Sequence, residues 1–188
     1  PSQKVGPVDN KGGGGGNHNT TGVRKVNFTA IKAFTIKTVL VYAQGAGNRP
    51  ISLFDAAGNI LKTVTVNIPN GESRIALNLA VPGPGDYALG AGPNTNLYRN
   101  NSGIQYPFML ANLVTITGSN AGQDGFYYYF YDWEVQETPC RSTGVSVTVK
   151  VTPGPIGNFA FTTSAGNTAT FKDSSTGTIS TWQWNFGD

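Results

Sequence analysis

From Val23 onward, apolar and polar residues alternate with a period of two, the signature of strands that bury one face. Over residues 23–30 the pattern turns Val26 and Phe28 inward. Over residues 34–43, Phe34 and Ile36 share one parity while Val39 and Val41 share the other, so a one-residue bulge near Lys37-Thr38 is needed to put all four on one face. Residues 51–54 and 60–68 flank Asp55-Ala56-Ala57-Gly58-Asn59, which predicts a hairpin whose positive-φ positions are Gly58-Asn59. The cleanest alternation runs over 74–81, with Ile75, Leu77, Leu79 and Val81 on one side. Further strands are predicted over 86–91, 110–117, 125–135 and 145–151, and residues 97–107 read as a long loop or a pair of short edge strands.

No stretch of helical period and length interrupts this series. The fold class that follows is all-β, an antiparallel β-sandwich of immunoglobulin-like or jelly-roll-like kind. Residues 1–22 contain the run Gly12 to Gly16 and read as a glycine-rich N-terminal arm or linker. The run is not a phosphate loop, since no strand precedes it and no Lys-Ser/Thr follows the last glycine. Residues 23–151 then form the sandwich module, and 152–157, with Pro153-Gly154-Pro155, form a stiff hinge. Residues 158–188 open a second module, with strands near 159–163, 168–173 and 180–186. In the last of these Trp182, Trp184 and Phe186 alternate with polar residues, and Gly187-Asp188 predicts a turn into a further strand, as in a piece of a longer protein.

Composition narrows the setting. Only 12% of the 188 residues are charged, about half the usual share, while 25 Gly and 11 Pro mark a turn-rich chain. Thr, Ser and Asn must therefore supply the polar faces. The net charge of +3 is scattered singly apart from Arg24-Lys25, which argues against a nucleic-acid partner. No run approaches the roughly 20 apolar residues of a membrane span. Cys140 is the sole cysteine, so it has no partner within the chain for a disulfide or a metal-ligand pair.

Two resemblances sharpen this. The series Asn158-Phe159-Ala160-Phe161, then Thr168-Ala169-Thr170-Phe171-Lys172-Asp173, then Trp182-Gln183-Trp184-Asn185-Phe186-Gly187-Asp188 resembles the opening strands of a polycystic-kidney-disease (PKD) domain, an immunoglobulin-like sandwich. The carrying motif is Trp184-Asn185-Phe186-Gly187-Asp188. Residues 21–151 are similar to the β-sandwich repeat modules of bacterial surface proteins exported by type IX secretion, through Phe34-Thr35-Ile36-Lys37-Thr38-Val39, Val81-Pro82, Asp86-Tyr87, Leu97-Tyr98-Arg99-Asn100 and Tyr127-Tyr128-Tyr129-Phe130-Tyr131-Asp132-Trp133. These resemblances imply a multidomain repeat protein, secreted or held at the bacterial cell surface. They also imply partners among neighbouring modules, glycans or other surface proteins.

Catalysis finds few candidate groups. The one histidine, His18, lies in the glycine-rich arm, away from any predicted nucleophile. Asp132 and Glu134 share a side of their predicted strand, but Asp55 and Asp86 sit where turns want Asp. No Asp-x-Asp-x-Asp loop suggests calcium, and no metal or cofactor is expected. The expected ligand site is the segment carrying Tyr98, Arg99, Asn100, Asn101, Gln105 and Tyr106, which offers aromatic platforms, a guanidinium fork and carboxamides suited to sugar hydroxyls. The aromatic stretch 125–135 admits two readings: a strand buried on both sides, or an exposed ladder of Tyr127, Tyr129 and Tyr131. Trp182, Trp184 and Phe186 form an expected interface. The functional expectation is a non-catalytic module for adhesion, display and glycan binding. The alternatives are an accessory binding module of a secreted hydrolase and a subunit of an extracellular filament completed by strand addition.

Overall fold

A computed structural model describes residues 1–139 and 147–187 and divides the chain into two units, Pro1–Cys140 and Arg141–Asp188. The expectations about Cys140, and about Val145 and Ser146 at the start of the strand predicted over 145–151, lie outside the described residues; 147–151 form no strand. Among the described residues no helix is long and apolar enough to cross a membrane.

The first unit is an all-β sandwich. In chain order its strands are β1 (Gln3–Val5), β2 (Gly15–His18), β3 (Arg24–Ala30), β4 (Phe34–Ala43), β5 (Gly47–Asp55), β6 (Ile60–Ile68) and β7 (Gly71–Val81). They continue as β8 (Gly85–Ala91), β9 (Leu97–Ile104), β10 (Phe108–Leu110), β11 (Val114–Ser119), β12 (Gly125–Tyr128) and β13 (Tyr131–Glu137). One antiparallel sheet runs β1-β13-β4-β9-β12, with β7 also on β4 and β2 also on β9. The other runs β10-β11-β3-β8-β5-β6.

Alternation decides which faces meet. Val26, Phe28 and Ala30 of β3 are buried, as are Ile75, Leu77, Leu79 and Val81 of β7. On β4 the register against β13 slips between Ile36 and Thr38, and this bulge brings Phe34, Ile36, Val39 and Val41 all into the core. Phe28 from one sheet meets Phe34 and Trp133 from the other, with ring centroids 6.1 and 5.3 Å apart. Each such edge-on pair adds about 0.5–1.5 kcal/mol to what burial alone contributes. The β5–β6 hairpin forms as predicted, closed by the Asp55 and Asn59 backbones; of the two expected positive-φ residues only Gly58 adopts one, at 85°.

Three expectations are corrected. First, the glycine-rich segment is no free arm: β2 pairs with β9 and β1 pairs with β13. Gly13 and Gly15 are needed because backbone lies on backbone there. A Cβ on Gly13 would sit 2.0 Å from the Ser102 carbonyl oxygen, and one on Gly15 would sit 2.2 Å from that of Arg99. Second, residues 97–104 are neither loop nor edge: β9 is flanked by β2 and β12, which both pair with Asn100. Third, residues 125–135 are not one strand. The chain turns sharply at Tyr129, whose φ is 73°, and Phe130 N–H donates to the Tyr128 carbonyl at 2.9 Å, the closure of a γ-turn. β12 thus joins one part of the sheet and β13 another, and Tyr127, Tyr128, Tyr129, Phe130, Tyr131 and Trp133 are all buried. The exposed-ladder reading of Tyr127, Tyr129 and Tyr131 falls.

The second unit, described by itself, is the antiparallel pair β14 (Phe159–Ser164) and β15 (Thr168–Asp173), extended by an isolated bridge between Ile156 and Thr176. The strand predicted over 180–186 is absent. Its aromatic side chains lie on the hairpin without backbone pairing: Phe186 and Trp184 rings come within 4.9 and 5.9 Å of Phe171.

The glycine contacts give a direct expectation. Gly13→Ala and Gly15→Ala should each destabilise the first unit by about 1–3 kcal/mol, since backbone must move to admit the methyl group. Gly16→Ala, whose Cβ would meet nothing within 4 Å, should leave the melting temperature almost unchanged. Thermal denaturation of the three variants checks the contrast.

Candidate functional site

The six residues expected to bind ligand do not form one surface: Tyr98, Arg99, Asn100 and Asn101 lie on β9, where neighbouring residues point to opposite faces, and Gln105 and Tyr106 follow its end. Tyr98 rests edge-on against Tyr42 at 6.3 Å. Tyr106 stacks on Tyr127 at 6.0 Å and donates its hydroxyl to the Phe126 carbonyl at 2.7 Å. Asn101 and Gln105 are exposed.

Asn100 is fully buried and structural. Its amide nitrogen fans across the carbonyls of Asn10, Gly13 and Gly14 at 3.1, 3.2 and 3.4 Å, and its amide oxygen accepts from the Tyr131 hydroxyl at 2.8 Å. No group of this side chain remains for a sugar. Asp132 and Glu134 are occupied as well. Asp132 pairs with Lys4 at 2.6 Å and with Arg74, while Glu134 accepts from Ser2 and Thr38, contacts that hold its carboxyl below the usual carboxylate range.

Arg99 is the expected residue that keeps a role at the surface. It lies in register with Tyr128 across β9 and β12, and its guanidinium carbon stands 5.0 Å from the Phe126 ring and 5.7 Å from the Tyr128 ring. It donates to the Tyr128 hydroxyl at 3.1 Å. The guanidinium of Arg24, at the start of β3, stands over the same Tyr128 ring at 5.7 Å. The imidazole of His18, at the end of β2, completes the group 5.7 Å from that ring, with Nδ1 3.0 Å from the Tyr129 hydroxyl. Partial burial lowers the His18 pKa first, and the nearby charges of Arg99 and Arg24 lower it further.

Thr95 is 1% exposed, and its hydroxyl has no hydrogen-bond partner among the described residues. It is nonetheless close enough to Tyr129 to act on that phenol. Arg49 fixes the Thr95 backbone: its buried guanidinium donates to the carbonyls of Thr95 at 2.5 Å, Gly45 at 2.7 Å, Gly47 at 3.1 Å and Ile68 at 3.3 Å. Sequence reasoning missed Arg24, His18 and Arg49. Only the pairing of β2 with β9 brings His18 to Arg99, and no period or motif announces that pairing.

In the second unit, Trp182, Trp184 and Phe186 are 56%, 41% and 61% exposed. With Phe159 and Phe171 they line a cleft of about 460 Å³. Among the described residues no group of three or more His, Cys, Asp or Glu is placed to hold a metal ion.

The buried tyrosines carry a testable consequence. Burial is the leading cause that raises Tyr42, Tyr106, Tyr127, Tyr129 and Tyr131 above the ordinary phenol value, Tyr129 to about 12. A phenol raised in the folded state favours folding in full below the unfolded value near 10, and that contribution fades as pH climbs through the folded value. Tyrosinate absorbance should therefore rise only partly near pH 10, and the rest should appear together with loss of the near-ultraviolet circular dichroism. Ionisation of all eight tyrosines in one step, with the fold intact, would contradict the buried cluster.

Comparison with protein-family models, with curated proteins and with solved structures finds no match for this chain.

Proposed function

We propose that this chain is a non-catalytic module of a larger bacterial protein displayed outside the cell, serving adhesion and display with a glycan as ligand. The observation that carries the reading is the part-exposed Phe126 ring with Arg99 over it, beside the buried Tyr128 ring on which Arg24, Arg99 and His18 converge. Other candidate groups are held inside the sandwich, as the Asn100 carboxamide and the Tyr106 hydroxyl show. A guanidinium beside an aromatic face offers both donors for hydroxyl or acid groups and an apolar plane for a sugar ring. The resemblances to PKD domains and to type IX-exported repeat modules supply the extracellular setting, as does the low charge of the chain. An accessory role beside a secreted hydrolase would use the same surface and differs only in what else the parent protein carries.

A glycan array probed with the folded chain tests this. Retention of at least one polysaccharide class is expected; retention of none, with the fold verified by circular dichroism, would remove the glycan reading.

Assembly is a second reading, supported by the exposed aromatic side chains of the second unit, whose two-stranded sheet leaves edges for strand addition. Light scattering during gel filtration should then show self-association that Trp184→Ser together with Phe186→Ser abolishes. A concentration-independent monomer would count against assembly.

A further inference from the structure

We infer that the surface built from Arg24, Arg99 and His18 takes the acid groups of a charged glycan, the carboxylates of a uronic-acid polymer or the sulfates of a sulfated one. This rests on the glycan-binding reading above and names its substrate class.

The first argument is uncompensated charge. The three ion pairs among the described residues are Lys4–Asp132, Lys32–Glu137 and Arg74–Asp132, and none involves Arg24 or Arg99. Two guanidinium groups nevertheless stand over one aromatic ring, with an imidazole at the same ring. Like charges held at one ring without a counter-ion disfavour one another, and an oxyanion bound beside either arginine lowers that cost. The effect on His18 agrees with that placement, since both arginines disfavour its protonated form.

The second argument is unsatisfied donors. Among the described residues no side-chain hydrogen bond involves Arg24, and its Nε is buried without an acceptor. Arg99 has one such bond, to the Tyr128 hydroxyl, which leaves most of its planar fork free. Carboxylates and sulfates match this inventory because they only accept, and they accept two parallel bonds from a guanidinium.

The third argument is rigidity. Arg99 sits mid-strand on β9 between two paired neighbours, Tyr128 ends β12, and the Thr95 backbone is held by buried Arg49. Groups already ordered lose little entropy when a ligand arrives. The part-exposed Phe126 ring beside Arg99 gives the sugar an apolar plane next to its acid group.

Binding to immobilised polygalacturonate, chondroitin sulfate, dextran and xyloglucan provides the test, read by biolayer interferometry on the folded chain. Retention on at least one acidic polymer is expected, weakening as salt rises. Arg24→Gln and Arg99→Gln should each weaken it about tenfold, roughly the loss of one charge-assisted contact. Arg99→Lys, which keeps the charge without the fork, should recover only part of that loss. Lys62→Gln makes the same charge change at an exposed position on β6 and should leave binding unchanged. Circular dichroism confirms the fold of each variant. Equal weakening by Lys62→Gln, or equal retention on a single-stranded oligonucleotide, would overturn the inference in favour of general attraction to polyanions. Binding to neutral polymers alone would leave the glycan reading standing and sink this one; binding to no polymer would sink both.

Discussion

One buried carboxamide holds the first unit's architecture together. Asn100 has two partnered neighbours in its own sheet, β2 and β12, and its side chain ties three carbonyls of the glycine-rich segment to the hydroxyl of Tyr131. A buried amide left unpaired costs about 1–3 kcal/mol per lost partner, so the site is stable only when every bond is made. That requirement fixes where residues 10–14 must run. It explains Gly13 and Gly15 too, because only residues without a Cβ let the backbone come close enough to Ser102 and Arg99. From this contact follow the position of β2, the central place of β9 and the arrival of His18 beside Arg99.

Much of the sandwich was legible wherever burial on one face imposes a period of two. The bulge in β4 could be read because four apolar residues changed parity around Lys37-Thr38, and no regular strand buries both halves. The alternation of β7 and the hairpin at Gly58 were legible for the same kind of local reason. β9 was not, because Arg99, Asn100, Asn101, Ser102 and Gly103 have the composition of a loop. Their strand character comes from partners on either side, one of them glycine-rich and itself without any apolar signal. Nor could periodicity reveal the turn at Tyr129. Every residue from Tyr127 to Tyr131 is buried, and the pattern carries no polar residue to mark the break.

The candidate site shows the same division. Tyrosine hydroxyls and asparagine carboxamides are as able to complete a core as to hold a sugar, and sequence alone does not separate the uses. Here Tyr106, Tyr127 and Tyr131 point their hydroxyls at Phe126, Phe130 and Asn100, so the aromatic segment acts as an internal frame. The strand predicted over 180–186 failed for a different reason. Trp184 and Phe186 stack on each other with planes 10° apart and lie on Phe171, an arrangement of side chains that needs no backbone ladder.

Arginine use in this low-charge chain separates structural from surface roles more sharply than any motif does. Arg49 is buried with four carbonyls and no carboxylate among the described residues, and burial lowers its pKa. Arg74 reaches the side chain and the backbone carbonyl of Asp132, joining β7 to β13 across β4. Both are staples whose donors end on the protein itself. Arg24 and Arg99 differ in kind: they lean on aromatic rings, and among the described residues their side chains make a single hydrogen bond, from Arg99 to the Tyr128 hydroxyl. Neither arginine takes part in an ion pair among the described residues, and both cover the buried ring of Tyr128. What sets the two apart is their place on paired strands, with Arg99 beside the part-exposed Phe126 ring, and the complement we infer for them is an acid group brought from outside.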